Sequence, residues 1–137
     1  MSTTTSRAGA CRVVLDPPAT AWVFAGTGQP FEQLDVGEVT LGEGDVLVSV
    51  ELATVCGTDL HTCSGARPAP VPSVLGHEQV GRVVAVGPGE PIRDLAGRAV
   101  TPGHRVVWSL TVQCGECRPC RRGLPQKCDR LRKYGHE

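Results

Sequence analysis

Cys114, Cys117, Cys120 and Cys128 are spaced Cys-x2-Cys-x2-Cys-x7-Cys. Thiolates are soft ligands, and four of them suit a tetrahedral zinc ion. Two intervening residues let the chain turn back so that successive sulfurs face one ion. Gly115, Pro119 and Gly123 supply the turn residues. Four protein ligands leave zinc no open position, so this ion is structural, and its sulfurs are expected about 3.5–4 Å apart. An iron–sulfur cluster also takes four cysteines and stays open as an alternative. A redox Cys-x-x-Cys pair fits less well, because three cysteines recur in step and no βαβ pattern surrounds them.

Cys56 and His77 form a second constellation. Cys56 opens Cys56-Gly57-Thr58-Asp59-Leu60-His61, and His77 stands in Gly76-His77-Glu78. One cysteine and one histidine this far apart read, on their own, more readily as packed core residues than as ligands. Asp59 shifts the balance. A metal-bound histidine usually gives its other N–H to a carboxylate, and Asp59 is close enough to Cys56 to be that partner.

The elements that must position these residues are short. Residues 1–20 read as a flexible N-terminal leader, rich in Ser and Thr and broken by Asp16-Pro17-Pro18. Ala21 to Ala25 forms a first strand, closed by Gly26-Thr27-Gly28. Val46, Val48, Val50 and Leu52 alternate with Leu47, Ser49 and Glu51, the period of a strand. Val80 to Val86 is a further strand, stopped by Gly87-Pro88-Gly89, and Arg105 to Ser109 is another. Pro68 to Pro72 is an exposed loop. No helical pattern exceeds two turns. The chain reads as mainly β, a partly open barrel with short helices.

Composition agrees. The 137 residues include 17 Gly and 11 Pro, and aromatics make up only 4%. One compact domain fits this length. Fourteen basic and fourteen acidic side chains balance to zero net charge, which removes the simplest case for a nucleic-acid or membrane binder. No apolar run approaches the ~18 residues of a membrane helix. The odd count of seven cysteines fits a disulfide framework poorly, and the first residues show no secretory signal. A reducing, cytoplasmic setting follows. The segment 114–137 carries half of the basic residues and only three acidic ones. These offset the −2 formal charge of a four-thiolate zinc, a reading that stands beside a specific anion site.

Three motifs occur in one order: Cys56-Gly57-Thr58-Asp59-x-His61, then Val74-Leu75-Gly76-His77-Glu78-x-Val80-Gly81, then the four-cysteine lobe. In that order they resemble the N-terminal catalytic domain of zinc-dependent medium-chain alcohol dehydrogenases, which has the GroES-like fold. Ala21 to Gly28, Gly42 to Val48 and Val83 to Gly89 fit the same template, so the similarity covers residues 21–137. The resemblance implies that Cys56 and His77 bind a catalytic zinc. Glu78 is then either a third ligand or a carboxylate behind the ligands, and Asp59 holds His77. Thr58 bonds the substrate oxygen and His61 passes its proton to solvent. Zinc would lower the pKa of a bound alcohol, and hydride would pass to NAD or NADP. The substrate class is a small alcohol or aldehyde, and the full-length protein is a homo-oligomer. Trp108 to Thr111, Arg121 to Cys128 and Lys133 to Glu137 are similar to a branch tied to phosphonate metabolism, so the substrate leans toward a phosphonoacetaldehyde-like aldehyde.

Some family features are missing. Gly26-x-Gly28, Gly42-x-Gly44 and Gly87-x-Gly89 lack the third glycine of a dinucleotide fingerprint, and none precedes a helix. The sequence therefore reads as an incomplete catalytic domain without a Rossmann domain, inactive alone. His104 stands where the family usually has Asp and reads as a surface turn residue. Cys11 and Cys63 are spare thiols, and His136 has no role. The competing reading is a non-catalytic, zinc-stabilised β module used for binding or assembly, which needs only the four-cysteine ion.

Overall fold

The computed structural model of the chain describes residues 3–5 and 9–135. His136 and the leader residues 1, 2 and 6–8 lie outside the described residues. The elements are β1 (Thr3–Thr5), β2 (Cys11–Phe24), β3 (Glu32–Leu41), β4 (Val46–Ala53), α1 (Gly57–Cys63), β5 (Ser73–Val74), β6 (Gln79–Val86), β7 (Arg105–Val107), β8 (Thr111–Val112), α2 (Arg118–Arg121) and β9 (Arg132–Lys133). A 3-10 turn covers Pro125–Lys127. The chain is mainly β with short helices, as its sequence predicts.

Two compact units share these elements. The first comprises Met1–Ala21, Gln33–Leu52 and Val80–Val107. Here β4, β6 and β7 form a three-stranded sheet in that order. β6 and β7 are antiparallel, with Val80 opposite Val107 and Arg82 opposite Arg105. Among its described residues, Val13, Leu41 and Val83 are the buried apolar side chains. Glu51 accepts from Arg82 at 3.1 Å and from Arg105 at 2.8 Å. β6 ends where Gly87 meets the turn at Gly42. The Gly87 N–H donates to the Asp45 carbonyl at 2.8 Å, and a Cβ on Gly87 would sit 1.9 Å from the Gly42 oxygen. Only glycine allows that approach.

The second unit comprises Trp22–Glu32, Ala53–Gln79 and Trp108–Glu137. Its short strand β5 pairs with the end of β2, Val23 opposite Val74 and Phe24 opposite Ser73. Phe24 is buried and meets Phe31 at a centroid distance of 5.8 Å. β8 and β9 make an antiparallel ribbon, Thr111 opposite Lys133 and Val112 opposite Arg132. The loop between them holds the four cysteines, α2 and the 3-10 turn.

The leader expected over residues 1–20 is corrected. Residues 11–20 belong to β2, which runs on through the expected start at Ala21 to Phe24. Pro17 and Pro18 do not break it. β1 pairs Cys11 to Val13 and β5 pairs Val23 and Phe24, so the prolines fall between the stretches that need ladder donors on that side. The sequence reading also passes over β3, whose residues Leu34, Val36 and Val39 do not keep a strict period of two. The strand expected over Arg105 to Ser109 stops at Val107. Alternation in β4 does not produce an inner apolar face along its whole length: Val46 and Val48 are half-buried, but Val50 and Leu52 are exposed.

Candidate metal centres

The four cysteines converge. One sulfur from each of Cys114, Cys117, Cys120 and Cys128 lies within 4.8 Å of all the others, and the Cys114 and Cys128 sulfurs are 3.5 Å apart. Local structure brings them together. Cys117 caps α2, with Pro119 in its first turn, and Cys128 follows the 3-10 turn. Backbone N–H groups point at the sulfurs: Cys117 donates to Cys114 at 3.4 Å, Cys114 to Cys128 at 3.3 Å and Arg130 to Cys128 at 3.3 Å. Such donors stabilise thiolates. Those of Cys117 and Glu116 bring the Cys114 thiol from 9.0 down to about 6. Those of Asp129 and Cys120 lower Cys117 as well. Burial, then the neighbouring thiols, pushes Cys120 up to about 12. Four thiols this close cannot all ionise alone, and a dication is the natural counter-charge.

The second constellation also assembles. The Cys56 sulfur lies 3.4 Å from His77 Nε2, and His77 Nδ1 lies 3.9 Å from Asp59 Oδ1. Asp59 and His77 are both buried, and Cys56 is half-buried. Helix α1 explains the placement. Cys56 is its N-cap and Asp59 its third residue, and Asp59 Oδ2 accepts the Cys56 backbone N–H at 2.9 Å. One carboxylate thus fixes the helix start with one oxygen and faces the histidine ring with the other. Thr62 anchors the buried side of α1. The chain reaches His77 from Gly76, whose φ of 103° only glycine holds without strain.

The remaining residues named from sequence fall around this cluster. Thr58 Oγ1 is 2.8 Å from the Cys56 sulfur. His61 stands one turn further along α1 and is exposed. Glu78 is outside the cluster: it is exposed, and its Oε2 accepts from Thr54 Oγ1 at 2.5 Å. Among the described residues neither Cys11 nor Cys63 joins a metal group. His104 is exposed and its ring meets Thr101 Oγ1 at 3.2 Å. Sequence reasoning missed Thr54, and it missed the pair Arg130–Glu116 at 2.7 Å beside the cysteine lobe. None of the three carries a motif; each is a polar residue whose partner the fold alone defines.

The family described as alcohol dehydrogenase GroES-like domain matches residues 42–136. Zinc-type alcohol dehydrogenase B of Aspergillus flavus is 38% identical over 92 residues, covering 67% of this chain and 20% of that protein. L-threonine 3-dehydrogenase of Aeromonas salmonicida is 40% identical over 98 residues, 69% of this chain and 27% of that protein. The crystal structure of an alcohol dehydrogenase from Thermotoga maritima superposes with a TM-score of 0.77 at 36% identity, covering 87% of this chain and 33% of that one. The chain therefore spans one third or less of the length of these relatives.

Proposed function

This chain belongs to the zinc-dependent alcohol dehydrogenase family and carries its GroES-like domain, and on that footing we propose that it supplies the metal-and-substrate half of an NAD- or NADP-linked alcohol dehydrogenase or aldehyde reductase. The observation that carries this reading is the Cys56–His77–Asp59 cluster, with sulfur and ring nitrogen 3.4 Å apart and the carboxylate behind the ring. A non-catalytic zinc module would need only the cysteine lobe.

The donor sets fit zinc. Four thiol sulfurs within 4.8 Å of one another suit a closed tetrahedral site. A thiol and an imidazole nitrogen from Cys56 and His77, with a carboxylate facing the other ring nitrogen, suit an open one. Zinc held at the open site would supply a Lewis acid that polarises an alcohol or carbonyl oxygen. The chain's own residues do the rest. Cys56 and His77 would hold the ion, and the Asp59 carboxylate facing His77 Nδ1 would favour the N–H there and leave Nε2 to ligate. The Thr58 hydroxyl, beside the Cys56 sulfur, exchanges a hydrogen bond and a proton with the substrate oxygen. His61, exposed on the next turn, passes that proton to solvent. Glu78, held by Thr54, serves as the outer carboxylate.

The hydride partner is a nicotinamide dinucleotide, held by a part of the enzyme that residues 1–137 do not supply. The substrate is a small alcohol or aldehyde, with a phosphonoacetaldehyde-like compound as the lean from residues 108–137, and the full-length enzyme works as a homo-oligomer. Among the described residues no helix is long and apolar enough to cross a membrane. Metal analysis tests the core of the reading. The purified chain is expected to hold two zinc ions, one lost readily to a chelator and lost altogether in Cys56→Ser. A single ion unaffected by Cys56→Ser would refute it.

A further inference from the structure

The cysteine lobe and the Cys56–His77 cluster lie in the same compact unit, and a close backbone approach between Gly135 and Gly76 runs from one to the other. The lobe begins after β8 and ends before β9, so the β8–β9 ribbon is its neck. Past β9 the ribbon gains one more bond, from the Tyr134 N–H to the Leu110 carbonyl at 3.0 Å. The next residue, Gly135, lies against Gly76. A Cβ on Gly135 would sit 2.3 Å from the Gly76 oxygen and 2.8 Å from its nitrogen and carbonyl carbon. Nothing larger than glycine fits there without moving the Gly76 peptide. His77 is the next residue along.

We infer that the four-cysteine lobe braces His77 through this glycine-on-glycine contact, and that Gly135 is a positioning residue for the Cys56–His77 centre. The path is continuous: four sulfurs fix the lobe, the lobe fixes its neck, the neck delivers Gly135, and Gly135 seats the peptide that carries His77. The lobe thus has a task beyond its own stability. A histidine displaced by even 1 Å from the Cys56 sulfur, now 3.4 Å from Nε2, no longer shares an ion with it in good geometry. The inference rests on the reading of Cys56 and His77 as zinc ligands.

Cobalt loading of the 137-residue chain tests it without any activity assay. Co²⁺ reports a four-thiolate site and a one-thiolate site by different absorption bands. The unmodified chain is expected to bind two Co²⁺. Gly135→Ala is expected to keep the four-thiolate bands and to bind the second ion at least tenfold more weakly. Gly28→Ala is the control: its φ of 75° is close to the 67° of Gly135, but no atom lies within 4 Å of the added methyl. It is expected to match the unmodified chain. Normal binding of both ions by Gly135→Ala overturns the inference alone. So does an equal loss in Gly28→Ala, or loss of both signatures together. A single Co²⁺ in the unmodified chain overturns the Cys56–His77 reading and the inference with it. Should Gly135→Ala fail to fold, Cys120→Ser carries the test through amide exchange across residues 73–80. Faster exchange than in the unmodified chain supports the brace, and unchanged exchange overturns it.

Discussion

Asp59 does two jobs with one carboxylate, and substitution can separate them. Oδ2 accepts the Cys56 N–H at the start of α1, and Oδ1 faces His77. Asp59→Asn keeps an acceptor for the cap but removes the charge behind the ring. It is expected to leave thermal stability nearly unchanged while weakening metal at Cys56–His77 by about 10–100-fold. Asp59→Ala removes both and should cost a further ~1 kcal/mol of folding stability. Equal melting points for the two variants would show that the cap contributes nothing. The thiols of the lobe give a pH signature. Cys114 is lowered from 9.0 to about 6, so in the metal-free chain its stabilising effect is complete above pH 9 and is lost as pH falls through 6. Cys117 acts in the same direction. Cys120 is raised to about 12, so its effect is complete below pH 9 and is lost as pH rises through 12. Alkylation of the reduced, metal-free chain, followed by mass spectrometry, should therefore label Cys114 before Cys120, with a rate midpoint near pH 6 for Cys114. A common midpoint for Cys114 and Cys120 would contradict this. The sequence made these ligands legible because soft donors at short spacing have few other uses. Asp59 was legible for a different reason: a metal-bound histidine needs a carboxylate for its other N–H, and Asp59 stands three residues from Cys56. Thr54 and Arg130 were not, since their partners Glu78 and Glu116 are chosen by the fold alone.

At the scale of elements, spacing predicted β4 and β6 nearly to their ends, because a glycine turn, Gly42 to Gly44, opens the β-branched run of β4 and another, Gly87 to Gly89, closes that of β6. β2 was misjudged, since Asp16-Pro17-Pro18 looks like a break, and only tertiary pairing shows which backbone donors a strand can spare. Helix α1 was nearly invisible. Seven residues are too few to be stable alone, so its existence depends on the Asp59 cap and on burial of Thr62. The end of β6 offers a direct test of such closure. A methyl at Gly87 would meet the Gly42 oxygen at 1.9 Å, and both partners are backbone. Gly87→Ala is therefore expected to lower stability by about 1–3 kcal/mol in urea unfolding. The Gly87 φ is not in the left-handed region, so this cost reports contact and not torsional strain. An unchanged midpoint would mean that the two turns separate easily.

For the whole molecule, the family and its GroES-like domain follow from sequence and comparison together, while the chain covers one third or less of its relatives. What residues 1–137 can do by themselves is a physical question about hydride transfer. The reaction needs the nicotinamide carbon held against the reacting carbon, and such positioning supplies roughly 7–11 kcal/mol of the barrier. At about 1.4 kcal/mol per factor of ten, losing it slows the step by roughly five to eight orders of magnitude. The glycine pairs 26/28, 42/44 and 87/89 cannot replace a dinucleotide site. Gly26 and Gly28 flank a turn before β3, Gly42 and Gly44 belong to the turn before β4, and Gly87 is locked against Gly42. None opens a helix that could receive a pyrophosphate. The 137-residue chain, with both metal sites filled, is therefore expected to form no NADH or NADPH above background from a panel of small alcohols. Absorbance at 340 nm over hours checks it. NADH formation that disappears in Cys56→Ser would mean that these residues hold the dinucleotide by a surface other than a glycine-rich turn.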